Sequence, residues 1–564
     1  MTYVITQACC NDTACVDVCP VDCIRPTADD ELFATTEQLY IEPTTCIDCG
    51  ACVDACPVDA IFPEDQLSEE NAKYTQINAE YFDKHPLVVD WDSFVPPSPI
   101  VVPKDQAPLR VAVVGAGPAA TYAAEAVVTQ GGRSVEVDIF DRLPSPWGLA
   151  RAGVAPDHQG TRIITDTFET IVRKPAIAAH LNVEVGVHIS HEELLAHHHA
   201  VIYAVGASTD RHLGVPGEDL PGSVSATDFV AWYNGHPDHA GDVYDLSGER
   251  AVVIGNGNVA LDVARVLVTS PDELAETDVA DHALAALRES NIREVVVLGR
   301  RGPVQAAFTS KELMGLDDVP GVDIVVDPVD LELDEHSAAF LASDECPFPV
   351  PRKIEWLREY ASRTPDPARK RIVLRFLGSP ESLEGDGRVE RVNVVRNELV
   401  ADESGRLRAQ AADSTSALAT GLVLRSIGYR GTPVAGLPFD ERRGVIPNEA
   451  GRVVDPDGDG PVEGVYVTGW IKRGPTGTLG TNKKCAGETV EKLAEDVKEG
   501  LAERPVESRE ALDKLLAGRR PDAVGFDEWR VLDQAETVAG KESGRPRVKV
   551  TDLQTMIDIE KGRG

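Results

Sequence analysis

The stretch LRVAVVGAGPAATYAAEAVV, from Leu109 to Val128, decides the fold of the region around it. Its apolar run predicts a buried strand, Gly115 and Gly117 predict a tight turn, and the alanine-rich segment after them predicts a helix. The glycines let the backbone approach a pyrophosphate, whose charge then lies against the free N–H groups of the helix N-terminus. Asp141 ends the next strand-like run, VEVDIF, where a carboxylate can accept hydrogen bonds from ribose hydroxyls. The pattern predicts a bound dinucleotide.

A second strand–turn–helix unit, ERAVVIGNGNVALDVARVLV, spans residues 249–268, with Gly255, Gly257 and Ala260 at the corresponding places. Two such units predict two dinucleotides. Arg300 and Arg301 follow the next predicted strand, IREVVVL, where an NAD site would carry an acid. Arginines there suit a 2′-phosphate, although paired arginines also occur on solvated surfaces. We therefore predict that the first unit binds FAD and the second binds NADP(H).

Length, charge and hydropathy limit the class of protein. A chain of 564 residues has room for about three or four domains. Its formal net charge of −38 argues against nucleic acid and anionic membrane surfaces as partners. No apolar run reaches the roughly 18 residues of a transmembrane helix, and no basic segment followed by an apolar one marks the N-terminus. We expect a cytoplasmic protein without membrane insertion.

The cysteines are concentrated near the N-terminus, since nine of the eleven lie within residues 9–56. In a reducing compartment such clustering indicates metal or iron–sulfur ligation rather than disulfides. The segment CIDCGACVDACP, residues 46–57, has the C-x2-C-x2-C-x3-C-P spacing of bacterial ferredoxins. Tetrahedral zinc sites usually take two separated pairs, so zinc fits this spacing less well.

An earlier cysteine group, ACCNDTACVDVCPVDCI, occupies residues 8–24 and contains no C-x2-C-x2-C run. Its PVDCI echoes PVDAI at 57–61, which predicts an internal repeat with a pseudo-twofold relation. We interpret Cys10 and Cys23 as small buried hydrophobic residues rather than ligands.

Composition suggests five segments along the chain. The proline-rich stretch 83–108 predicts an extended linker. Residues 303–430 include an irregular acidic region, and the end of the chain is a polar tail. The segment GVYVTGWIKRGPTGTLGTNK, 464–483, predicts a return to the flavin domain, with a loop that caps the sheet as the alternative. We predict a ferredoxin-like iron–sulfur domain (1–82), a linker (83–108), an FAD-binding domain (109–213 and 431–500), an NADP-binding domain (214–430) and a C-terminal tail (501–564).

Five motifs occur together in one order: GAGPAA, PWGLARAGVAPDH, GNGNVALDVAR, GRRGPVQAAFT and GWIKRGPTGTLGTN. By these motifs residues 109–490 resemble the adrenodoxin reductase family of ferredoxin–NADP reductases. The cysteine-rich region resembles the seven-iron bacterial ferredoxins, so nearly the whole chain is similar to the fused ferredoxin/ferredoxin–NADP reductases of actinobacterial type. The resemblance implies an α/β fold with two Rossmann-like domains of the glutathione reductase type, preceded by a small α+β ferredoxin-like domain.

The resemblance also implies ligands for each cofactor. FAD would contact Ala120, Asp141, Leu149, Val183, Trp470, Gly477, Thr478 and Leu479. NADP(H) would contact Arg211, Asn258, Val259, Ala260, Leu261, Arg300, Arg301, Glu312 and Gly477. His158, which in isolation is an ordinary polar loop residue, matches the family's active-site histidine. The family more often has glutamate where Asp141 stands, and Gly315 stands where some relatives carry a further acid.

The ferredoxin resemblance assigns the cysteines to two clusters. A three-iron cluster would take Cys9, Cys15 and Cys56, and a [4Fe-4S] cluster would take Cys19, Cys46, Cys49 and Cys52. Only five residues separate Cys9 from Cys15, fewer than is usual in that family, which leaves the nuclearity of the first cluster open. A [3Fe-4S] cluster is favoured over a second [4Fe-4S] cluster.

The hypothesis that follows is a ferredoxin–NADP reductase, in which NADPH gives a hydride to FAD and electrons then pass singly to iron–sulfur clusters. The acceptor is the chain's own ferredoxin-like domain, an external ferredoxin, or a cytochrome P450 electron-transfer chain. One alternative is the electron-input subunit of a larger synthase or dehydrogenase. A second alternative, a pure electron carrier, is disfavoured by the two nucleotide turns.

Overall fold

The structure, a computed structural model, describes residues 2–89, 97–403, 405–456, 458 and 460–563. Part of the predicted linker, 90–96, lies outside these ranges. We call residues 2–89 the head and residues 97–563 the body. Within the described residues, no helix is long and apolar enough to cross a membrane.

The head is built from two small antiparallel sheets and short helices. Tyr3–Ile5 pairs with Ile61–Pro63, and Ile24–Arg25 pairs with Tyr40–Ile41. The first and last strands therefore enclose the middle pair, as expected of two related halves. The helices of the head are Ala14–Asp17, Ala51–Ala55 and Lys73–Lys84.

The body contains a seven-stranded sheet, which defines domain I. Its central strands are parallel and rich in valine and isoleucine, and their side chains are buried because helices cover both faces. In spatial order the strands are Asn448–Glu449, Arg452–Val454, Pro461–Val467, Ala200–Tyr203, Leu109–Val114, Val135–Phe140 and Ile177–His180. The helices of domain I are Pro118–Gly131, Leu149–Ala152, Gln159–Arg162, Ile164–Val172, His191–His197, Trp470–Arg473 and Thr481–Lys498.

A six-stranded parallel sheet defines domain II. Its strands in spatial order are Ser223–Ser225, Leu422–Arg425, Arg250–Ile254, Glu294–Leu298, Lys370–Arg375 and Val322–Val326. Its helices are Ala226–Tyr233, Asn258–Val268, Pro271–Leu274, Asp281–Arg288, Ser310–Asp317, Glu335–Leu341 and Pro349–Ser362. The two strand–turn–helix units thus lie in two separate sheets, which confirms the predicted pair of Rossmann-like domains.

The chain crosses between the domains twice, and the two crossings pair with each other. Thr209–Asp210 runs antiparallel to Tyr429–Arg430. The two domains are therefore joined by a short two-stranded ribbon.

The region 303–430 is more regular than its sequence suggests. Besides strands and helices of domain II, it forms an antiparallel sheet of Gly378–Glu384, Arg391–Ala401 and Leu407–Ala419. The last of these strands is largely exposed and rich in alanine, serine and threonine. It therefore lacks the apolar alternation by which a strand is recognised.

The C-terminal segment, residues 501–563, is also folded and is not a tail. Its helices are Arg509–Arg519, Phe526–Glu542 and Leu553–Glu560. Trp529 packs edge to face on Trp147 of domain I, with ring centroids 5.3 Å apart. Lys549 pairs with Asp278 of domain II at 3.0 Å. The segment therefore ties the two domains together on one side.

Candidate functional site

The glycine turn of domain I brings backbones together at the carboxyl edge of the sheet. Gly115 has φ +106°, and a Cβ there would lie 2.6 Å from the carbonyl oxygen of Ala204. A Cβ on Gly148 would lie 3.1 Å from the Cα of Gly117, so two loops also meet without side chains between them. The helix Pro118–Gly131 begins directly after this turn. Its first amides face a backbone-lined cradle, which fits the pyrophosphate of FAD.

Asp141 lies beside this turn. Its carboxylate accepts hydrogen bonds from the backbone N–H groups of Ala116, at 2.7 Å, and Leu143, at 2.9 Å. Burial raises the pKa of Asp141, and the two amides offset part of that rise. Each carboxylate oxygen keeps a further acceptor site, which a ribose hydroxyl can use.

The other predicted FAD residues lie on several elements of domain I. Ala120 is in the first turn of Pro118–Gly131, Leu149 begins its own helix, and Val183 is fully buried in the core. Trp470 begins Trp470–Arg473, while Gly477, with φ +83°, precedes Thr478 and Leu479 in the turn before Thr481–Lys498.

Sequence reasoning missed Arg473, which follows Trp470 in the glycine-rich segment. Its Nη2 donates to the carbonyl oxygen of Thr476 and to Oδ1 of Asn482, each at 3.1 Å. Its Nε and Nη1 are buried and have no hydrogen-bond partner in the described part of the protein. Buried donors of a guanidinium normally find acceptors, so this site also fits a ligand rich in acceptors. The GWIKRGPTGTLGTN motif contains this arginine but does not distinguish it from Lys472.

The glycine turn of domain II repeats this geometry. Gly255 has φ +120°, and a Cβ there would lie 1.9 Å from the carbonyl oxygen of Ser426. Around Gly257, a Cβ would meet nothing within 4 Å. Asn258 begins the helix Asn258–Val268, and its Oδ1 accepts from the N–H of Thr309 at 2.8 Å. The first turn of this helix also holds Val259, Ala260 and Leu261.

The arginines predicted to bind a 2′-phosphate follow the strand Glu294–Leu298. Arg300 is exposed, and Arg301 is half-buried with its Nη2 3.4 Å from the carbonyl oxygen of Gln305. Burial lowers the pKa of Arg301, and the charge of Arg300 lowers it further. In the described part of the chain neither forms an ion pair, nor does the exposed Arg211 near the domain crossing. All three cations are available to a phosphate.

His158 meets an ionic network to which domain II contributes Arg265, Asp262 and Glu312. Its Nε2 lies 2.8 Å from Nη2 of Arg265 and 3.7 Å from Oε2 of Glu312, and its Nδ1 lies 4.0 Å from Oδ1 of Asp262. Arg265 also pairs with Asp157, at 2.6 Å, and with Asp262, at 2.7 Å. His158, Asp262 and Glu312 lie close enough to share a cation, and the guanidinium of Arg265 supplies that charge.

Electrostatics keep the ring of His158 neutral. Burial lowers its pKa, and the charge of Arg265 lowers it further, although Asp262 acts in the opposite direction. Burial and Glu312 raise the pKa of Asp262 to about 6. Because Arg265 donates to Nε2, the neutral ring carries its proton on Nδ1.

Five cysteines of the head line one cavity. They include the four predicted [4Fe-4S] ligands, Cys19, Cys46, Cys49 and Cys52, and also Cys23. Cys23, which is buried as expected, places its Sγ 3.5 Å from that of Cys19. Burial, followed by the nearby Cys46, raises the pKa of Cys52 to about 12. Iron–sulfur clusters are held by converging cysteine thiolates, so this donor set fits such a cluster.

The second predicted ligand set does not line this cavity. Cys9 and Cys15 are buried, and burial together with the charge of neighbouring cysteines raises the pKa of Cys15. Burial also raises the pKa of Cys56 to about 11, with Cys9 contributing. Cys10, also buried, belongs to the same group. Cys9, Cys15 and Cys56 are therefore neighbours, as ligands of a shared cluster must be.

Comparisons with known proteins agree with this geometry. A family model described as 4Fe-4S binding domain matches residues 39–62. A second, described as Pyridine nucleotide-disulphide oxidoreductase, matches residues 109–301.

Full-length relatives are found among mycobacterial proteins. A Mycobacterium tuberculosis protein named "Probable ferredoxin/ferredoxin--NADP reductase" is 49% identical over 99% of this chain and 94% of its own length. The protein of that name in Mycobacterium leprae is 46% identical over 100% of this chain and 98% of its own.

A solved structure, "Mycobacterium tuberculosis FprA in complex with NADPH", superposes with a TM-score of 0.76 at 47% identity and covers 81% of this chain and all of its own. The match therefore includes the body, whereas the head is shared with the full-length relatives. This chain belongs to the ferredoxin/ferredoxin–NADP reductase family.

Proposed function

We propose that this chain is an FAD-dependent ferredoxin–NADP(+) oxidoreductase whose attached head is its first electron acceptor. The observation that carries the proposal is the position of the head. Its residues 10–12 lie directly on Thr478 and Gly480 of domain I, in the turn predicted to contact the flavin. Bound FAD would supply the conversion from two-electron hydride chemistry of NADPH to the single-electron chemistry that iron–sulfur clusters need.

The residues of the body bind and orient the two nucleotides. The turn at Gly115 and Gly117 would hold the pyrophosphate of FAD, while the turn at Gly255 and Gly257 would hold that of NADPH. Arg300 and Arg301 would select the 2′-phosphate. In this proposal the two nucleotides would lie in two domains joined by a short ribbon, so that their rings could meet between the domains.

His158 would act as the polar group beside the reacting rings. It lies at the boundary of the domains, with its Nε2 bonded to Arg265. The proton on Nδ1 would remain available as a hydrogen-bond donor. We assign no proton relay beyond Glu312, because Gly315 stands where some relatives carry a second acid.

For the head we propose one [4Fe-4S] cluster, held by Cys19, Cys46, Cys49 and Cys52. A second cluster, of the [3Fe-4S] type rather than [4Fe-4S], would be held by Cys9, Cys15 and Cys56. The converging thiols of each set support these assignments. A reducing, cytoplasmic location suits such thiols.

The test is anaerobic stopped-flow reduction of the full chain by NADPH, with flavin absorbance followed optically and the clusters by low-temperature EPR. We expect the flavin to bleach first and the cluster signals to change afterwards. If the flavin bleaches while both clusters keep their oxidation state, the head is not the first acceptor. If NADPH leaves the flavin oxidised, the reductase assignment itself fails, and an electron-input subunit that needs a partner becomes the better hypothesis.

A further inference from the structure

The head is fixed to domain I by backbone contacts at its buried end. The carbonyl oxygen of Cys10 accepts from the N–H of Gly480, at 2.9 Å, and from Oγ1 of Thr478, at 2.7 Å. A Cβ on Gly480 would lie between 2.3 and 2.5 Å from backbone atoms of Cys10, Asn11 and Asp12. This approach is possible only for glycine. The head therefore covers the turn 477–480.

The same end of the head is also attached to domain II. Lys311 donates from Nζ to the carbonyl oxygen of Cys9, at 3.0 Å, and its own carbonyl oxygen accepts from Gln7 at 3.0 Å. Glu37 accepts from the N–H of Ser310, at 2.6 Å, and pairs with Lys353 at 3.4 Å. Contacts to both domains hold the head in one orientation, so a partner cannot reach the covered turn without displacing it.

Apolar packing strengthens this attachment. Tyr40 stacks on Tyr81 of the head, with ring centroids 4.1 Å apart, and both contact Phe348 of domain II edge to face. Met314 of domain II is buried in the same cluster. Burial of these side chains stabilises the docked arrangement in addition to its hydrogen bonds.

A different part of the head is exposed, around the cavity lined by Cys19, Cys46 and Cys49. Cys49 is exposed, and the neighbouring Ile47 keeps 58% of its surface accessible. Val18, next to Cys19 of the same cavity, is 42% exposed. Within the described residues, no hydrogen bond or ion pair joins residues 46–52 to the body. We call this surface, formed by Val18 and residues 46–50, the exit face.

Charge on and around the exit face is negative. Asp48 is exposed beside Ile47, and Asp17 is exposed beside Val18. Arg25 is the only basic side chain among residues 2–72, and it is bound to Asp22. The whole chain carries a net charge of −38. Such a field attracts cationic proteins and repels acidic ones at low ionic strength.

We propose that the exit face is the docking surface for an external one-electron acceptor, and that this acceptor is a redox protein with a basic surface around its redox group. The proposal rests on the proposed function and adds the route out of the molecule and the class of partner. An apolar centre, formed by Ile47 and Val18, with an acidic surround fits a small, transient protein interface. An acidic soluble ferredoxin would be repelled from it.

The probe is cytochrome c, whose haem edge is ringed by lysines, and the matched probe is succinylated cytochrome c, in which those charges are reversed. The reaction balances as one NADPH plus two ferric haems giving NADP+, one proton and two ferrous haems. The variant is Ile47→Lys with Asp48→Asn, which adds one positive charge to the exit face and removes one negative charge, a net change of +2. The control is Val400→Lys with Asp413→Asn, which makes the same charge change on two exposed positions of domain II.

We expect the exit-face variant to lower the second-order rate constant with cytochrome c by about tenfold at low salt, and to raise it with the succinylated form. The control should change either constant by less than about twofold, and the effects should shrink at about 0.5 M salt, where the Debye length is only a few ångströms. Equal effects of the two variants, or none, would overturn the proposal.

Two further measurements separate this proposal from the proposed function. Zinc-substituted cytochrome c, which accepts no electron, should bind the native chain and bind the exit-face variant more weakly by calorimetry. The iron and sulfide content of both variants must equal that of the native chain, so that the loss of a cluster is recognised. If NADPH bleaches the flavin but the exit-face variant binds zinc-cytochrome c as the native chain does, the docking proposal fails while the reductase assignment stands.

Discussion

Nη2 of Arg265 lies 2.8 Å from Nε2 of His158, and the two residues come from different domains. Arg265 is on the helix that begins at the domain II nucleotide turn, whereas His158 ends a loop of domain I. The bond therefore joins the two nucleotide-binding units at the point where their ligands are expected to meet. It also fixes which nitrogen of His158 carries the proton.

Arg265 is therefore a positioning residue that acts through His158. In Arg265→Gln we expect the pKa of His158 to rise, because a neighbouring positive charge is removed while Asp157, Asp262 and Glu312 remain. The low-pH limb of flavin reduction by NADPH should move to higher pH, and the rate should fall by about 10- to 100-fold. Histidine ¹⁵N NMR across about pH 5 to 8 reports the titration and the tautomer directly.

Arg265→Lys is the matched control because it keeps the cation but not the planar fork. We expect it to restore part of the native pH profile. An unchanged histidine titration in Arg265→Gln, with a lower rate, would mean that Arg265 supports the fold only.

The ionic network around His158 is a part of the site that could not be predicted from the sequence, unlike the glycine turns. The glycine turns could be predicted because each depends on residues within one short segment, and the confirmed Rossmann-like domains followed from them. The partners of His158 could not be predicted in the same way, because Arg265 and Glu312 reach it only after two domains have folded together. Arg265 stands within the quoted GNGNVALDVAR motif, but helical spacing alone presents it as one more residue of a buried helix.

The docking of the head on the body could not be predicted from the sequence either. One of its contacts joins the carbonyl oxygen of Cys10 to the N–H of Gly480, groups that every residue type except proline carries. Backbone hydrogen bonds between distant segments leave no side-chain pattern in the sequence. Cys23 was assigned to the core by its residue type, and it does lie buried, but only the folded head shows that it adjoins Cys19.

Arg300 and Arg301 follow the strand Glu294–Leu298 of domain II, and their replacement tests the preference for NADPH over NADH. Replacing Arg300 and Arg301 with alanine removes two cations that form no ion pair in the described residues. A charge-assisted hydrogen bond contributes about 1.5 to 3 kcal/mol, so we expect the Kd for NADPH to rise about 100-fold or more. The Kd for NADH should change by less than about threefold, because NADH lacks the 2′-phosphate. Anaerobic titration with each nucleotide measures both constants.

A second arginine pair provides the control for that experiment. Arg442 and Arg443 are exposed on another part of the body. Their replacement by alanine makes the same change in net charge and should leave both constants near their native values. Equal weakening of NADPH and NADH in the first variant would contradict the 2′-phosphate assignment.

A substitution in the glycine turn of domain I should change the amount of FAD that the purified protein retains. Gly115→Ala combines a positive φ with a Cβ 2.6 Å from the carbonyl oxygen of Ala204, so the turn must open. We expect a loss of about 2 kcal/mol or more in stability and a purified protein depleted of FAD. Gly518→Ala is the control, because Gly518 is an exposed helical residue with nothing within 4 Å of a new Cβ. Its substitution should retain FAD and should not lower the melting temperature.

The buried carboxyl group of Glu560, in the C-terminal segment, should make the free energy of unfolding depend on pH. Both carboxyl oxygens of Glu560 are buried, and neither has a hydrogen-bond partner among the residues that the structure describes. Burial raises the pKa of Glu560 to about 8, although Arg151 and Lys561 act in the opposite direction. The unfolded chain releases this proton near pH 4.3. Since the folded state holds the proton more tightly, the contribution of this group to stability is complete below about pH 4.3 and is lost as pH rises to about 8.

Glu560→Gln removes the titration while keeping the shape of the side chain. We expect native chain and variant to have similar urea midpoints near pH 5, and the variant to be more stable by about 2 to 4 kcal/mol at pH 8 and above. Glu542→Gln, an exposed change in the same segment, should differ from the native chain by a few tenths of a kcal/mol at both pH values. If the advantage of Glu560→Gln were the same at both pH values, the carboxyl would already be ionised in the folded state at pH 5, and burial would not control it.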